Sequence, residues 1–385
     1  MKSTLSIETP VDLRLEKVEG RKALSQFIDF PHDLYAGDPN YVPELFISQE
    51  VLLNPAKSPF FEHSKAVYFL ARSLEGEVLG RIAAIRNNNY IQFSGDHAGF
   101  FGFFDVIDHY GVAKALLDTA CAWLREEGLD RAIGPANFST NETCGALIEN
   151  FNEPPFVLTT YNYPYYAEFL ERYGFVKNSD LLSYILSTDH LTPEMETLGA
   201  QLEARLARRG ITIRTIDMKN FKKEVNKFLP IYNASWDQNL GFVPMTETEI
   251  RHMGKDLKPV IDPDFIFFAE KNGQPIGVAL SIPNLNEIFI KIPRGRLFPT
   301  GIFRFLFGRK SIKTVRVVAL GLLPEYRRTG LDLCLYVRTY QAAIRKGIRY
   351  GEASWILENN VMMNRALTQI GGKVFRKHRL YEKAL

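Results

Sequence analysis

Two tandem domains of mixed α/β (α+β mixed-sheet) structure are the fold the sequence predicts, and three observations predict it. The 385 residues (44.0 kDa) exceed one ordinary core and suit two domains of about 190 residues each. Period-2 apolar segments alternate with period-3.6 segments along the whole chain, as layered α/β folds require. The same order of elements also recurs. A helix ending in Arg125-Glu126-Glu127-Gly128-Leu129-Asp130-Arg131 has a later counterpart ending in Arg345-Lys346-Gly347-Ile348-Arg349, which indicates an internal duplication.

In the first half, an early strand (about 11–18) leads to helical segments. Strands over 66–73 and 78–86 are joined at Glu75-Gly76, and a third strand covers 99–107. A helix over about 112–127 precedes a strand at 131–134. The last helix carries Tyr166 to Phe175, and a strand over 181–186 closes the half. The boundary falls near 190. Thr192 is placed to cap a helix with Pro193 at its first position, where a missing N–H costs nothing. Leu198, Leu202 and Leu206 then recur at helical spacing, and Gly210 ends the run.

The second half opens with that helix, followed by a strand over 211–216 and a helix over 221–236. Thr246-Glu247-Thr248-Glu249 is a capping box for the next helix. Segments 265–270 and 276–282 flank Lys271-Asn272-Gly273-Gln274 as a hairpin. A strand (315–323), a helix (about 330–346), a strand (350–356), a helix (360–370) and a terminal strand complete it. The expected domains are therefore 1–190 and 191–385, the second with an inserted segment over 284–313.

Composition narrows the function. Apolar residues are 46% and charged residues 24%, which excludes a disordered or low-complexity polymer. A net charge of +3 argues against a dedicated nucleic-acid binder. No apolar run approaches the roughly 20 residues that cross a bilayer, and Met1 to Glu8 lack a secretory h-region. Three cysteines (Cys121, Cys144, Cys334) cannot build a disulfide framework, so a cytoplasmic protein is expected. The seven histidines are scattered, with no metal spacing and no Cys-x-x-Cys, and no metal is expected. There is likewise no Gly-x-Ser-x-Gly elbow, Walker loop or dinucleotide fingerprint.

Residues 316–332 (Arg-Val-Val-Ala-Leu-Gly-Leu-Leu-Pro-Glu-Tyr-Arg-Arg-Thr-Gly-Leu-Asp) carry the chemistry. An apolar strand stops at Pro324, a short polar turn follows, and a helix starts near Gly330. Such a turn presents unpaired N–H groups at the positive end of a helix, which is an anion site. Arg327 and Arg328 add fork-shaped donors suited to phosphate. The alternative is a solvated turn with both arginines in water.

This stretch resembles the acyl-CoA-binding motif of the GNAT superfamily of N-acyltransferases: strand, proline, aromatic, then Arg/Gln-x-x-Gly-x-Gly/Ala. Pro324, Tyr326 and Arg327-Arg328-Thr329-Gly330 fit it, while Asp332 stands where the family has Gly or Ala. Trp355-Ile356-Leu357-Glu358-Asn359-Asn360 and Gly371-Gly372 resemble the family's next strand and helix. The first half resembles the fold at Tyr173-Gly174-Phe175 but lacks the phosphate turn after Phe104 to Gly111, so it reads as a degenerate GNAT-like domain without the cofactor site.

The resemblance implies direct attack of an amine on an acyl-CoA thioester. It implies cofactor contacts from Leu320, Gly321, Leu322, Tyr326, Arg327, Arg328, Thr329, Gly330, Leu331 and Asn360. The oxyanion donor would be a backbone N–H in 320–322, with Gly321 supplying a local distortion or merely room for a neighbour. The family's general-acid tyrosine falls on Leu367. A thiol near pKa 8.5 leaves tolerably at neutral pH, whereas deprotonating an amine near 10.4 costs about 4.6 kcal/mol, so the proton acceptor matters more. Candidates are Glu352 and Glu358, each also readable as an ordinary salt-bridge or capping carboxylate. Tyr381 is a candidate replacement acid, or a core tyrosine with its hydroxyl bonded. Trp236, Asn239 and Phe242, with Trp355, fall where the family shapes its acceptor pocket. Loop packing is the plainer role for the first three.

Segment 288–313 holds many apolar residues, among them Phe298, Phe303, Phe305, Leu306 and Phe307. Its seven charges (Lys291, Arg294, Arg296, Arg304, Arg309, Lys310, Lys313) are all basic. It reads as a membrane-surface element or an apolar lid, giving a protein peripheral on the inner membrane face. Alternatively its apolar residues cover the first domain and its arginines meet CoA phosphates. An apolar lid favours a long-chain donor or a lipidic amine. Tandem proteins of this kind look like bacterial ceramide synthases, which N-acylate a sphingoid base. The competing readings are a non-catalytic lipid-binding scaffold and an acetyltransferase of a soluble small amine.

Overall fold

The computed structural model describes residues 12–237 and 239–385. The reading of the first eight residues lies outside them. The chain forms two compact units, each discontinuous in sequence. One takes the chain through Asp180 with Phe289–Ile302 and His378–Leu385. The other takes Leu181–Ile288 and Phe303–Lys377. A single cut near 190 is therefore replaced by a division that runs through two strands and through the inserted segment. Long-range packing decides this membership, and no local composition shift marks it.

The strands fall where alternation places them. In the first unit, β1 (Leu13–Lys17), β2 (Lys65–Ser73), β3 (Val78–Arg86) and β4 (Ala98–Val106) pair antiparallel in sequence order. β5 (Arg131–Gly134) pairs parallel with β4, the helix Tyr110–Glu126 making the crossover. A short β6 (Ala146–Glu149) and β7 (Val176–Ser187) follow, the latter passing into the second unit at Leu181. There the remaining strands are β8 (Ile211–Thr215), β9 (Ile266–Lys271), β10 (Gln274–Pro283), β11 (Thr314–Leu322) and β12 (Tyr350–Leu357). Their order is β7-β12-β11-β10-β9-β8, antiparallel except for the β11–β12 pair, which the helix Leu331–Arg345 connects. β13 (Lys373–Ala384) ends in the first unit, where Tyr381 lies opposite Gly134 of β5.

Each crossover helix buries one stripe. Val112, Leu116, Leu117, Ala120 and Leu124 close the first core against Ile82, Ala84 and Phe101. Leu331, Cys334, Leu335, Ala342 and Ala343 close the second against Ala279, Val315 and Leu322. Local capping is as the sequence predicts. Thr192 accepts from the Met195 N–H, and Thr246 and Glu249 form a reciprocal capping box.

The duplication is visible in one shared irregularity. The β4–β5 ladder covers only Ala98–Phe100 against Arg131–Ile133, and the β11–β12 ladder only Thr314–Val317 against Tyr350–Ala353. In both cases the first strand of the parallel pair bulges just beyond the end of the ladder. Phe103 and Phe104 oppose the single Ile82, and Val318 is the extra residue against Leu280 and Ser281. Each unit thus carries a parallel pair that parts into a wedge.

In the first unit a loop fills the wedge. Asn137 Oδ1 accepts from the Phe103 N–H at 2.7 Å, and Asn137 Nδ2 donates to Thr143 Oγ1 at 2.7 Å. A Cβ on Gly102 would lie 2.1 Å from the Ala136 carbonyl oxygen, so only glycine lets the loop approach. The polar loop after β5 is a hydrogen-bonded turn cluster. Tyr161, Tyr163 and Tyr166 likewise belong to the first unit's interior, grouped around the buried Tyr35.

Candidate active site

The second unit keeps its turn open. Pro324–Tyr326 form a short 3-10 turn, Arg327 is extended, and Arg328 and Gly330 take left-handed backbone angles (φ 63° and 84°) before the helix Leu331–Arg345 begins. Among the described residues no acceptor meets the backbone N–H groups of Arg328, Thr329, Gly330, Leu331 or Asp332. The Thr329 hydroxyl donates to the Tyr326 carbonyl at 2.7 Å, which fixes the turn from inside. Leu202 packs over Gly330, where a Cβ would stand 3.0 Å from its Cδ1. Arg327 and Arg328 are exposed, and Arg327 Nη2 approaches the Ser235 carbonyl at 3.4 Å. The Asp332 carboxylate occupies the first helical turn, so the site combines five donors and two guanidinium groups with one acid.

β11 leads into this turn. Gly321 pairs in register with Val278, so the backbone distortion expected at Gly321 lies instead at Val318. Gly321 provides room: a Cβ there would lie 2.6 Å from the Trp236 ring and 2.8 Å from Ser235 Oγ. The Ser235 hydroxyl donates to the Leu322 carbonyl at 3.2 Å. Trp236 stacks on Tyr232 at 5.0 Å between centroids, and Tyr232 meets the buried Phe242 at 5.7 Å. The Asn239 N–H donates to the Trp236 carbonyl at 2.8 Å, and the Asn239 carbonyl accepts from Phe242 at 3.1 Å. This loop therefore brings Trp236 against β11 at Gly321, while Phe242 and Asn239 brace it.

Arg316 and Glu352 lie opposite each other in the β11–β12 ladder, just before the wedge opens. Glu352 is fully buried. The Ser354 hydroxyl donates to Glu352 Oε1 at 2.6 Å and accepts from Arg316 Nε at 2.9 Å, while Arg316 Nη2 donates to the Ser354 carbonyl at 3.2 Å. Burial pushes the Glu352 pKa up; the Arg316 charge, the Ser354 hydrogen bond, the Arg376 charge and nearby Ser183 temper the rise. Among the described residues no hydrogen bond of good geometry reaches Glu352 Oε2. The Arg316 guanidinium also lies 4.9 Å from the Trp355 ring centroid.

Other sequence candidates fall elsewhere. Tyr381 is in the first unit's core, where its hydroxyl donates to Glu171 Oε1 at 3.2 Å and burial pushes its pKa up to about 12. That hydroxyl is already committed as a donor to the Glu171 carboxylate. Glu358 is exposed at the end of β12, its carbonyl accepting from Asn364 at 3.2 Å. Asn360 spends its Oδ1 capping the helix Val361–Gln369, accepting from Met363 at 3.1 Å, which leaves its amide N–H groups for any ligand. Leu367 faces the core among Tyr184, Tyr340 and Ala353. Sequence reasoning missed Arg316, Ser354 and Ser235. A charge inside the apolar run of β11 is the signal that marks Arg316.

The inserted segment divides. Its first part belongs to the first unit: Ile292 is fully buried, Arg296 forms a forked pair with Asp29 (3.0 and 2.8 Å), and Arg294 pairs with Asp33 at 2.5 Å. Those arginines are held by carboxylates, which corrects the expectation that they meet CoA phosphates.

A mixed sheet whose parallel strands part, built twice in one chain and followed in the second copy by a phosphate-type turn, defines a tandem GNAT fold. No family model matches the chain. Protein YghO of Escherichia coli (strain K12) is 35% identical over 370 residues, 94% of this chain and 93% of the relative. The bacterial ceramide synthase of Caulobacter vibrioides (strain NA1000 / CB15N) is 33% identical over 384 residues, 98% and 99% of the two chains. A tandem GNAT protein from the clavulanic acid biosynthesis pathway superposes with TM-score 0.56 at 12% identity, covering 97% of this chain and 98% of its own. The glucosamine N-acetyltransferase region of a fungal β-N-acetylglucosaminidase gives TM-score 0.57 at 14% identity, covering 97% and 38%. The chain belongs to the family of the first two relatives, tandem GNAT-fold N-acyltransferases. Among the described residues no helix is long and apolar enough to cross a membrane.

Proposed function

We propose that the protein moves an acyl group from an acyl-CoA thioester to a hydrophobic primary amine, with a sphingoid base as the acceptor. The observation that carries this is the row of five unpartnered N–H groups from Arg328 to Asp332, at the head of a 15-residue helix. Those groups suit the CoA diphosphate, with Arg327 and Arg328 adding charge. The 33% identity to the ceramide synthase over nearly the whole chain supports the choice of acceptor class.

The thioester supplies an electrophilic carbonyl and a thiolate leaving group. In this reading a β11 N–H beyond Val317, where the β12 ladder has ended, steadies the oxyanion. Glu352, raised by burial and steadied by Ser354 and Arg316, takes the amine proton. Trp236 and Trp355 offer apolar walls. Leu367 stands at the family's acid position, and the low pKa of a thiol makes that tolerable.

The direct experiment incubates purified protein with palmitoyl-CoA and sphinganine and follows amide and released thiol by mass spectrometry. Amide formation that requires protein supports the proposal. Tight acyl-CoA binding without any amide favours the scaffold reading, toward which Asp332 and Leu367 lean. Turnover of short soluble amines in preference to sphinganine would move the acceptor class.

A further inference from the structure

The second part of the inserted segment is built differently from the first. The helix Ile302–Gly308 exposes Phe303 (59%), Leu306 (56%) and Phe307 (79%), which at spacing i, i+3, i+4 share one face. Its mounting is firm. A Cβ on Gly308 would lie 3.1 Å from the buried Ile288, and Arg309 donates to the Pro259 and Ile261 carbonyls at 2.9 and 3.3 Å. The Ser311 hydroxyl donates to the Gly308 carbonyl at 2.7 Å, and Ile312 is buried. Three large apolar groups are thus held out into solvent by an anchored support.

We infer that this face docks on an anionic lipid bilayer, with Phe303, Leu306 and Phe307 entering the headgroup boundary. Charge complementarity selects that occupant. Arg309 and Lys310, both exposed, accompany the apolar face, and 288–313 contains no acid. Among the described residues the Arg309 guanidinium donates to two uncharged carbonyls and forms no ion pair. The acid just before the segment, Glu287, is turned inward and accepts from Lys313 N–H, Thr314 N–H and the Thr314 hydroxyl. Apolar groups accompanied by cations match anionic headgroups over hydrocarbon. A second copy fits poorly, because a two-fold contact would set Arg309 and Lys310 against their own copies. The inference stands on this patch alone and is independent of the acyl-transfer reading.

Flotation of the full-length protein tests it, with phosphatidylcholine vesicles against vesicles of phosphatidylcholine and phosphatidylglycerol. Binding should be roughly tenfold greater on the anionic vesicles and should weaken with salt. A Phe303→Ser/Phe307→Ser variant and, separately, Lys310→Glu should lower it severalfold without changing the melting temperature, since these side chains are exposed. The inference is overturned if the protein fails to float, if it floats equally on both vesicle types, or if the variants bind unchanged. It is equally overturned if light scattering shows a dimer that the phenylalanine variant dissociates while flotation is absent.

Discussion

Glu352 has no solvent to hold its charge, and its pKa is raised for that reason. A carboxyl raised on folding stabilises the fold fully only below its ordinary value of 4.5, and that contribution is lost as pH climbs through the folded value. Glu352→Gln should therefore melt higher than wild type at about pH 8, and the difference should shrink toward about pH 4. Calorimetry across pH checks the sign. In the acyl-transfer reading the same variant stays folded yet loses roughly a hundredfold or more in kcat. Arg327→Ala and Arg328→Ala should each weaken acyl-CoA binding about tenfold, as the loss of a charge-assisted hydrogen bond implies. Titration calorimetry reads that loss. At this scale the sequence singles out Glu352 and the Arg327–Gly330 turn, because both depend on local chemistry. It does not reveal the partner of the Tyr381 hydroxyl, because Glu171 lies 210 residues away. Ser354 stays hidden because a hydroxyl in a strand has no signature until its neighbours are known.

The strand β11 and the loop at Trp236 are coupled through the absence of one side chain. Gly321→Ala would drive a methyl to 2.6 Å from the indole, so its melting temperature should fall. Adding Trp236→Leu should recover part of the loss, and a double-mutant cycle by thermal melts measures the coupling. Gly295 is a stricter case. Its φ is 62°, and a Cβ would sit 1.8 Å from the Glu44 carbonyl oxygen, so Gly295→Ala should cost more than about 2 kcal/mol, read by denaturant unfolding. Helix caps at Thr192 and Thr246 and the hairpin at Asn272-Gly273 are legible beforehand, since each is set within a few residues. The bulge at Val318 is not, because it exists only in register with Leu280 and Ser281 of β10.

Two wedges and one open turn are the organisation of the whole chain. The first wedge is closed from within by Asn137, whose Oδ1 takes the Phe103 N–H that the bulge turns outward. The second is followed by the unpartnered N–H groups at Arg328 to Asp332. Duplication was visible in the repeated helix endings, whereas the exchange of Leu181–Ser187 and His378–Leu385 between units was not, because strand membership is decided by pairing. The central claim is that one turn, at Arg327 to Asp332, grips acyl-CoA. Titration calorimetry of the full chain with palmitoyl-CoA tests it most directly. The account predicts saturation at about one ligand per chain, weakened about a hundredfold by Arg327→Ala/Arg328→Ala and untouched by Asn137→Ala. Two sites per chain, binding indifferent to both arginines, or no binding at all would contradict it.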